Sequence, residues 1–187
     1  MENKSILEIY EQCVRFHGHR CPGLAVGVRA AVEAARLLSL SFSQDEDTVC
    51  ITENDACGVD GIQCVLGCSA GKGNLIFRIR GKQAFNVYDR RTGKNVRLIL
   101  KAYAKEKAAA AYPELPKREA GARYILEAPM EEVFSQGPAV FPMPEEARHF
   151  ASYDCELCGE STAEPYIRLQ EGKRVCPACY RPYHRLR

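Results

Sequence analysis

The sequence predicts an α+β fold, with helices packed on a mainly antiparallel sheet, followed by a small treble-clef-like zinc finger. Three observations carry this. Two stretches of helical periodicity come first, four β-rich runs follow between Thr48 and Leu100, and two Cys-x2-Cys pairs lie near the C-terminal end. The 187 residues suffice for one main domain with an appendage. A content of 46% hydrophobic and 27% charged residues is that of an ordinary globular protein, not of a disordered or membrane chain.

The elements follow in order. Ser5 with Glu8 has the pattern of a capping box, and Ile6, Ile9, Tyr10, Cys13 and Phe16 then recur at helical spacing, predicting a helix over 6–16. A second helix is expected from Pro22, with Leu24, Val28, Ala31, Val32, Ala35 and Leu38 on its buried face. Residues 48–53 read as a strand, and Asp60 and Gln63 as caps of a short helix that stops near Gly67. From Asn74 to Tyr88 two alternating runs flank Gly81-Lys82, which predicts a type II′ hairpin. A further strand is expected over 95–100 and an Ala- and Lys-rich helix over 101–112, ended by Pro113 and Pro116. The stretch 128–149 carries Pro129, Pro138, Pro142 and Pro144 and reads as a linker or extended arm. It divides a core domain, 1–127, from a zinc-binding module, 150–187. Cys13, Cys50 and Cys64 are read as packing residues.

Met1 to Cys13 has no secretory pattern, and no run reaches the roughly 18 apolar residues of a spanning helix. A cytoplasmic protein is expected, without membrane association. Its ten cysteines then point to metal binding or reactivity, because cytosolic thiols are kept reduced. The net charge of +2 conceals a block over 72–107 with 11 basic residues and 2 acidic ones, which can steer a small anionic ligand or a partner or serve in part as a solvated face.

Cys155, Cys158, Cys176 and Cys179 form two knuckles with 17 residues between them, the spacing of a four-cysteine zinc site. So short a module has too few apolar residues to fold without its metal. A closed four-sulfur site keeps no open position, so this zinc is expected to be structural.

The second constellation lies near the N-terminus. His17-Gly-His19-Arg-Cys21-Pro-Gly packs two imidazoles and a thiol into a loop that opens a helix, where the macrodipole favours a thiolate. Downstream, Cys57-Gly-Val-Asp60-Gly-Ile-Gln63 and Gly67-Cys68-Ser-Ala-Gly-Lys72-Gly-Asn74 add soft ligands, a carboxylate and glycine-rich backbone. These segments, with Arg91-Thr-Gly-Lys94, resemble the E-subunit family of formylmethanofuran dehydrogenase over about residues 5–127. Gly61 and Leu66 depart from the family pattern without removing a ligand.

The resemblance implies an α+β homodimer with a metal-dependent site. By it, His19, Cys21 and Cys57 are candidate ligands of a second metal, for which zinc is one identity, with Cys68 as a fourth. His17, Asp60 and Lys72 join Cys21 and Cys57 as candidate catalytic residues, and Gln63, Cys68 and Asn74 as cofactor-binding ones. It also implies a role as accessory to one-carbon (formyl/CO2) redox chemistry, with molybdenum or tungsten dehydrogenase subunits as partners. Two alternatives stand beside it. One is a zinc-finger module for nucleic acid or a protein partner, disfavoured for nucleic acid by the near-neutral tail, with 6 basic and 5 acidic residues over 151–187. The other is thiol redox or metal delivery through Cys57, Cys64 and Cys68.

Overall fold

A computed structural model describes residues 4–102 and 104–185. It divides into two compact units, Met1–Ala147 and Arg148–Arg187. Helix α1 (Ile6–His17) starts on Ser5: the Glu8 amide donates to the Ser5 hydroxyl at 3.3 Å and the Ser5 amide donates to the Glu8 carboxylate at 2.7 Å. The expected capping box is thus complete. The helix ends at Gly18, whose φ of 94° is left-handed and suits glycine. Ile9, Tyr10 and Cys13 are buried as expected, but Phe16 is 61% exposed. Helix α2 (Pro22–Leu38) has Pro22 in its first turn and Cys21 as N-cap.

Then come β1 (Thr48–Thr52), α3 (Gly58–Leu66), β2 (Leu75–Phe77), β3 (Ala84–Asp89), β4 (Asn95–Leu100), α4 (Ala104–Ala111), α5 (Lys117–Glu127), α6 (Met130–Val133) and β5 (Phe134–Gly137). The five strands form one sheet in the order β2-β1-β3-β4-β5, in which only β1 and β2 run parallel. No described helix is long and apolar enough to cross a membrane.

Three expectations change. The hairpin across Gly81-Lys82 does not form, because β1 lies between its two runs: Cys50 pairs with Leu75 on one side and with Val87 on the other. The connecting residues instead wrap the end of β1, where the Arg78 amide donates to the Thr52 carbonyl and the Arg80 amide to the Glu53 carbonyl, both at 2.9 Å. Gly81 still supplies a turn at φ 68°. Inserting β1 gives a fully buried strand two hydrogen-bonded edges, which a local hairpin would not. Secondly, α3 begins at Gly58, so Asp60 and Gln63 lie inside it and cap nothing. Thirdly, the stretch expected to be an arm contributes α6 and the edge strand β5, and α5 is a helix that the periodicity left unassigned.

One face of the sheet, with Phe85, Val87, Leu98 and Phe134, packs on Leu24 and Val28 of α2 and Ile62 and Leu66 of α3. Each of these fully buried side chains contributes about 1.5–3 kcal/mol. On the other face Val49, Ile51 and Tyr88 are covered by Ala139 and Phe141, whose carbonyl accepts from the Tyr88 hydroxyl at 2.8 Å.

Helices α2 and α3 cross at glycines. A Cβ on Gly27 would stand 1.8 Å from the Gly58 carbonyl oxygen, and one on Gly61 would stand 2.4 Å from the Val28 amide nitrogen. This close crossing brings the two helix starts, Cys21 and Cys57, together.

The second unit has two hairpins, β6 (Ser152–Asp154) with β7 (Ser161–Ala163) and β8 (Arg168–Gln170) with β9 (Lys173–Val175). Among its described residues only Cys155, Val175 and Cys176 are buried.

Candidate metal centres

In the second unit the ligand atoms of Cys155, Cys158, Cys176 and Cys179 lie within 4.8 Å of one another, with Cys158 Sγ and Cys176 Sγ at 3.9 Å. A tetrahedral zinc with bonds of about 2.3 Å has sulfur–sulfur edges of about 3.8 Å, so the four thiols fit that ion. Each knuckle is folded by its own backbone: the Gly159 amide donates to the Cys155 carbonyl at 2.8 Å, and the Tyr180 amide to the Cys176 carbonyl at 2.9 Å. Amides of Cys158 and Cys176 turned on Cys155 hold its thiol down to about 6, which favours the thiolate that a metal needs.

In the first unit His17, His19, Cys21 and Cys57 also place one ligand atom each within 4.8 Å. His17 is the last residue of α1, Cys21 caps α2 and Cys57 occupies the N-cap position of α3. Both thiols therefore sit at positive helix ends. The Leu24 amide donates to Cys21 Sγ at 3.3 Å. The backbone of Cys21 is clamped by Tyr10, whose hydroxyl accepts from the Cys21 amide at 3.0 Å and donates to its carbonyl at 3.1 Å. Burial, and then the neighbouring Cys21 thiol, push the Cys57 thiol up, a penalty that a cation between the two sulfurs would relieve.

His17, a candidate catalytic residue by the resemblance, has the features of a ligand. Its Nε2 lies 3.8 Å from Cys21 Sγ, and its Nδ1 lies 2.7 Å from Asp60 Oδ2. With Asp60 accepting at Nδ1, the Nε2 lone pair faces the cluster, the carboxylate–histidine arrangement found behind metals. Gln63 Nε2 in turn donates to Asp60 Oδ1 at 3.0 Å. His19 completes the set from the solvent side: its ring centroid is 4.4 Å from that of His17, and it alone of the four is exposed. We expect Asp60→Ala to weaken metal binding at this centre by about 10–100-fold. Competition with a chromophoric chelator measures it, and an unchanged affinity would show that Asp60 does not orient His17.

The remaining sequence candidates stand outside this cluster. Cys68 is buried and donates to the Thr48 carbonyl at 3.5 Å, and burial pushes its thiol up to about 12. Lys72 Nζ donates to the carbonyl of Ser43 at 2.8 Å, and the Asn74 amide group to those of Asp45 at 3.1 Å and Thr48 at 2.9 Å. The Gly67 to Asn74 segment thus ties down the 43–48 loop. Cys64 lies one turn beyond Asp60 on α3, and a hydrogen bond with Cys13 holds its thiol down to about 7.

Part of the basic block is neutralised internally. The fully buried Glu53 receives Arg97 at 2.6 Å and lies 3.9 Å from Arg80, while Arg91 lies 3.6 Å from Asp89. Arg78, Lys82 and Lys94 remain exposed.

A helix-on-sheet domain with a His2Cys2 cluster, followed by a four-cysteine finger, defines a metal-binding protein with two separate candidate centres. The chain belongs to the FmdE family, described as "Molybdenum formylmethanofuran dehydrogenase operon", whose model matches residues 16–146. Residues 149–185 match the prokaryotic dksA/traR C4-type zinc finger. The fold is similar to a crystal structure of an FmdE-like protein of the tungsten formylmethanofuran dehydrogenase type from Syntrophus aciditrophicus. The TM-score is 0.70 at 22% identity, over 95% of this chain and 92% of that one. A protein of Archaeoglobus fulgidus named "Probable S-adenosyl-L-methionine-binding protein" is 31% identical over 193 residues, covering 90% of this chain and 51% of the relative. The chain thus spans about half the length of that curated relative.

Proposed function

We propose that His17, His19, Cys21 and Cys57 hold a divalent, zinc-type metal in the core domain, and that the exposed His19 is the ligand that exchanges for a small anionic substrate. The observation that carries this is the His17 Nδ1 to Asp60 contact at 2.7 Å, which orients Nε2 toward the two thiols. Two sulfurs and two imidazoles suit zinc better than magnesium or calcium. A zinc-type ion with one exchangeable position supplies Lewis acidity. In this reading the protein is a cytoplasmic homodimer that serves one-carbon chemistry beside dehydrogenase subunits, and the finger is a structural and partner-binding accessory. The FmdE family description supports that context.

The test is a metal count by mass spectrometry. Two zinc ions per chain are expected, one for each cluster. Cys21→Ser with Cys57→Ser should leave one, and His19→Ala should keep two. A count that stays at two without Cys21 and Cys57 overturns the core assignment, and a core metal lost with His19 alone overturns its exchange role.

A further inference from the structure

Helices α1 and α3 pack on each other, and their facing residues bring together a second pair of reactive groups. His17 of α1 meets Asp60 of α3 at 2.7 Å. Cys13 stands one turn back from His17 and Cys64 one turn on from Asp60, on the same helix faces, because residues four apart are neighbours. The two thiols share a hydrogen bond across the interface, in the register of an antiparallel helix pair. Neither belongs to a metal cluster of the described residues. Cys13 is fully buried, whereas Cys64 is half-buried and open to a small molecule from solvent. Of the other thiols in this unit, Cys50 and Cys68 are both fully buried, and Cys21 and Cys57 belong to the metal cluster.

We propose that Cys64 and Cys13 form a thiol–disulfide exchange site for low-molecular-weight disulfides, in which Cys64 attacks and Cys13 resolves. In the first step Cys64, its proton released to water, attacks one sulfur of the small disulfide. A mixed S–S bond forms, the small molecule's own S–S bond breaks, and the departing thiolate takes up a proton. In the second step Cys13 gives its proton to water and attacks Cys64 Sγ. The mixed S–S bond breaks, and the second small thiolate leaves and is protonated. The protein pair is thereby oxidised by two electrons and the small disulfide is reduced to two thiols. Sulfurs that already share a hydrogen bond need only a small side-chain rotation to reach the roughly 2 Å of an S–S bond. The order of the steps follows from the environment. Donation from Cys13 holds the Cys64 thiol down to about 7 against the charge of Asp60, while the same bond and burial push Cys13 up. An attacking thiol works best when it titrates near the ambient pH. The site does not rest on the metal centre proposed above.

Incubation of the zinc-loaded protein with glutathione disulfide, followed by acid quenching, proteolysis and mass spectrometry, tests the assignment. A peptide linked through Cys13 and Cys64 is expected, with an unchanged zinc count and reversal by reduced glutathione. Cys13→Ser should stop the reaction at its first step and trap one glutathionyl group on Cys64, which a merely packed Cys13 would not do. Cys13→Ala gives the same trap without a buried hydroxyl. Cys64→Ser should slow the loss of free thiol by about tenfold or more, since it removes the thiol that titrates nearest neutral pH. No reaction of the wild-type protein, a glutathione adduct that persists on its Cys64, or a link from Cys64 to any other cysteine overturns the proposal. So does zinc released in step with oxidation, because the reacting thiols would then be metal ligands. Peptide mapping identifies the linked cysteines whether or not the core cluster holds its metal, which separates this failure from that of the metal assignment.

Discussion

Gly27→Ala is expected to destabilise the core domain by about 3 kcal/mol or more, above the usual cost of overpacking. The new methyl would lie 1.8 Å from the Gly58 carbonyl oxygen, a backbone atom that no rotamer change can move aside. Helices α2 and α3 must separate, and the separation acts directly on the cluster because Cys21 and Cys57 stand at their starts. Core metal should therefore be lost together with stability, while the zinc of the second unit remains. Gly61→Ala, at 2.4 Å from the Val28 amide nitrogen, should act in the same direction. Gly71→Ala is the control, since nothing lies within 4 Å of its added carbon. Urea denaturation and metal counts read both effects. A Gly27→Ala protein of ordinary stability that keeps its core metal would show that the close crossing does not position the two thiols.

What the sequence revealed depended on how local the determining forces were. The start of α1 was legible because the capping box closes within four residues, and the Cys155 to Cys179 spacing was legible because knuckles are folded by their own backbone. The sheet order was not legible. The turn signal at Gly81-Lys82 was real, but nothing nearby says that β1, some thirty residues earlier, occupies the place between β2 and β3. Helix α5 was missed because prolines bracket it and its apolar residues, Ala120, Ala122, Tyr124, Ile125 and Leu126, follow no clean stripe.

The candidate site was legible in composition and not in hierarchy. His-x-His-x-Cys offered two imidazoles without saying which had a carboxylate behind it. Asp60 lies 43 residues from His17, and only the packing of α1 on α3 makes them neighbours. The one usable signal was Asp60 itself, three residues after Cys57, which reads equally well as a helix cap. Lys72, Asn74 and Cys68 show the converse: glycine-rich backbone with a lysine looks like a ligand loop, and in the fold these side chains hold neighbouring carbonyls.

Removal of zinc from the second unit is expected to unfold residues 150–180 while the core domain stays folded. The unit buries only three residues among those described, two of them the ligands Cys155 and Cys176, so apolar burial contributes little. Structural zinc in comparable modules contributes about 10–16 kcal/mol at neutral pH, far more than two short hairpins supply. Cys155→Ser with Cys158→Ser removes half of this ligand set and none of the other. In that variant the tail should become a site of rapid proteolysis, and the thermal midpoint of the core should not move. Lowering the pH should do the same to the wild-type tail, since protons compete with zinc for the thiolates and release it as they bind. A tail that resists protease with its zinc gone would mean that the hairpins fold by themselves and that the metal has some other use.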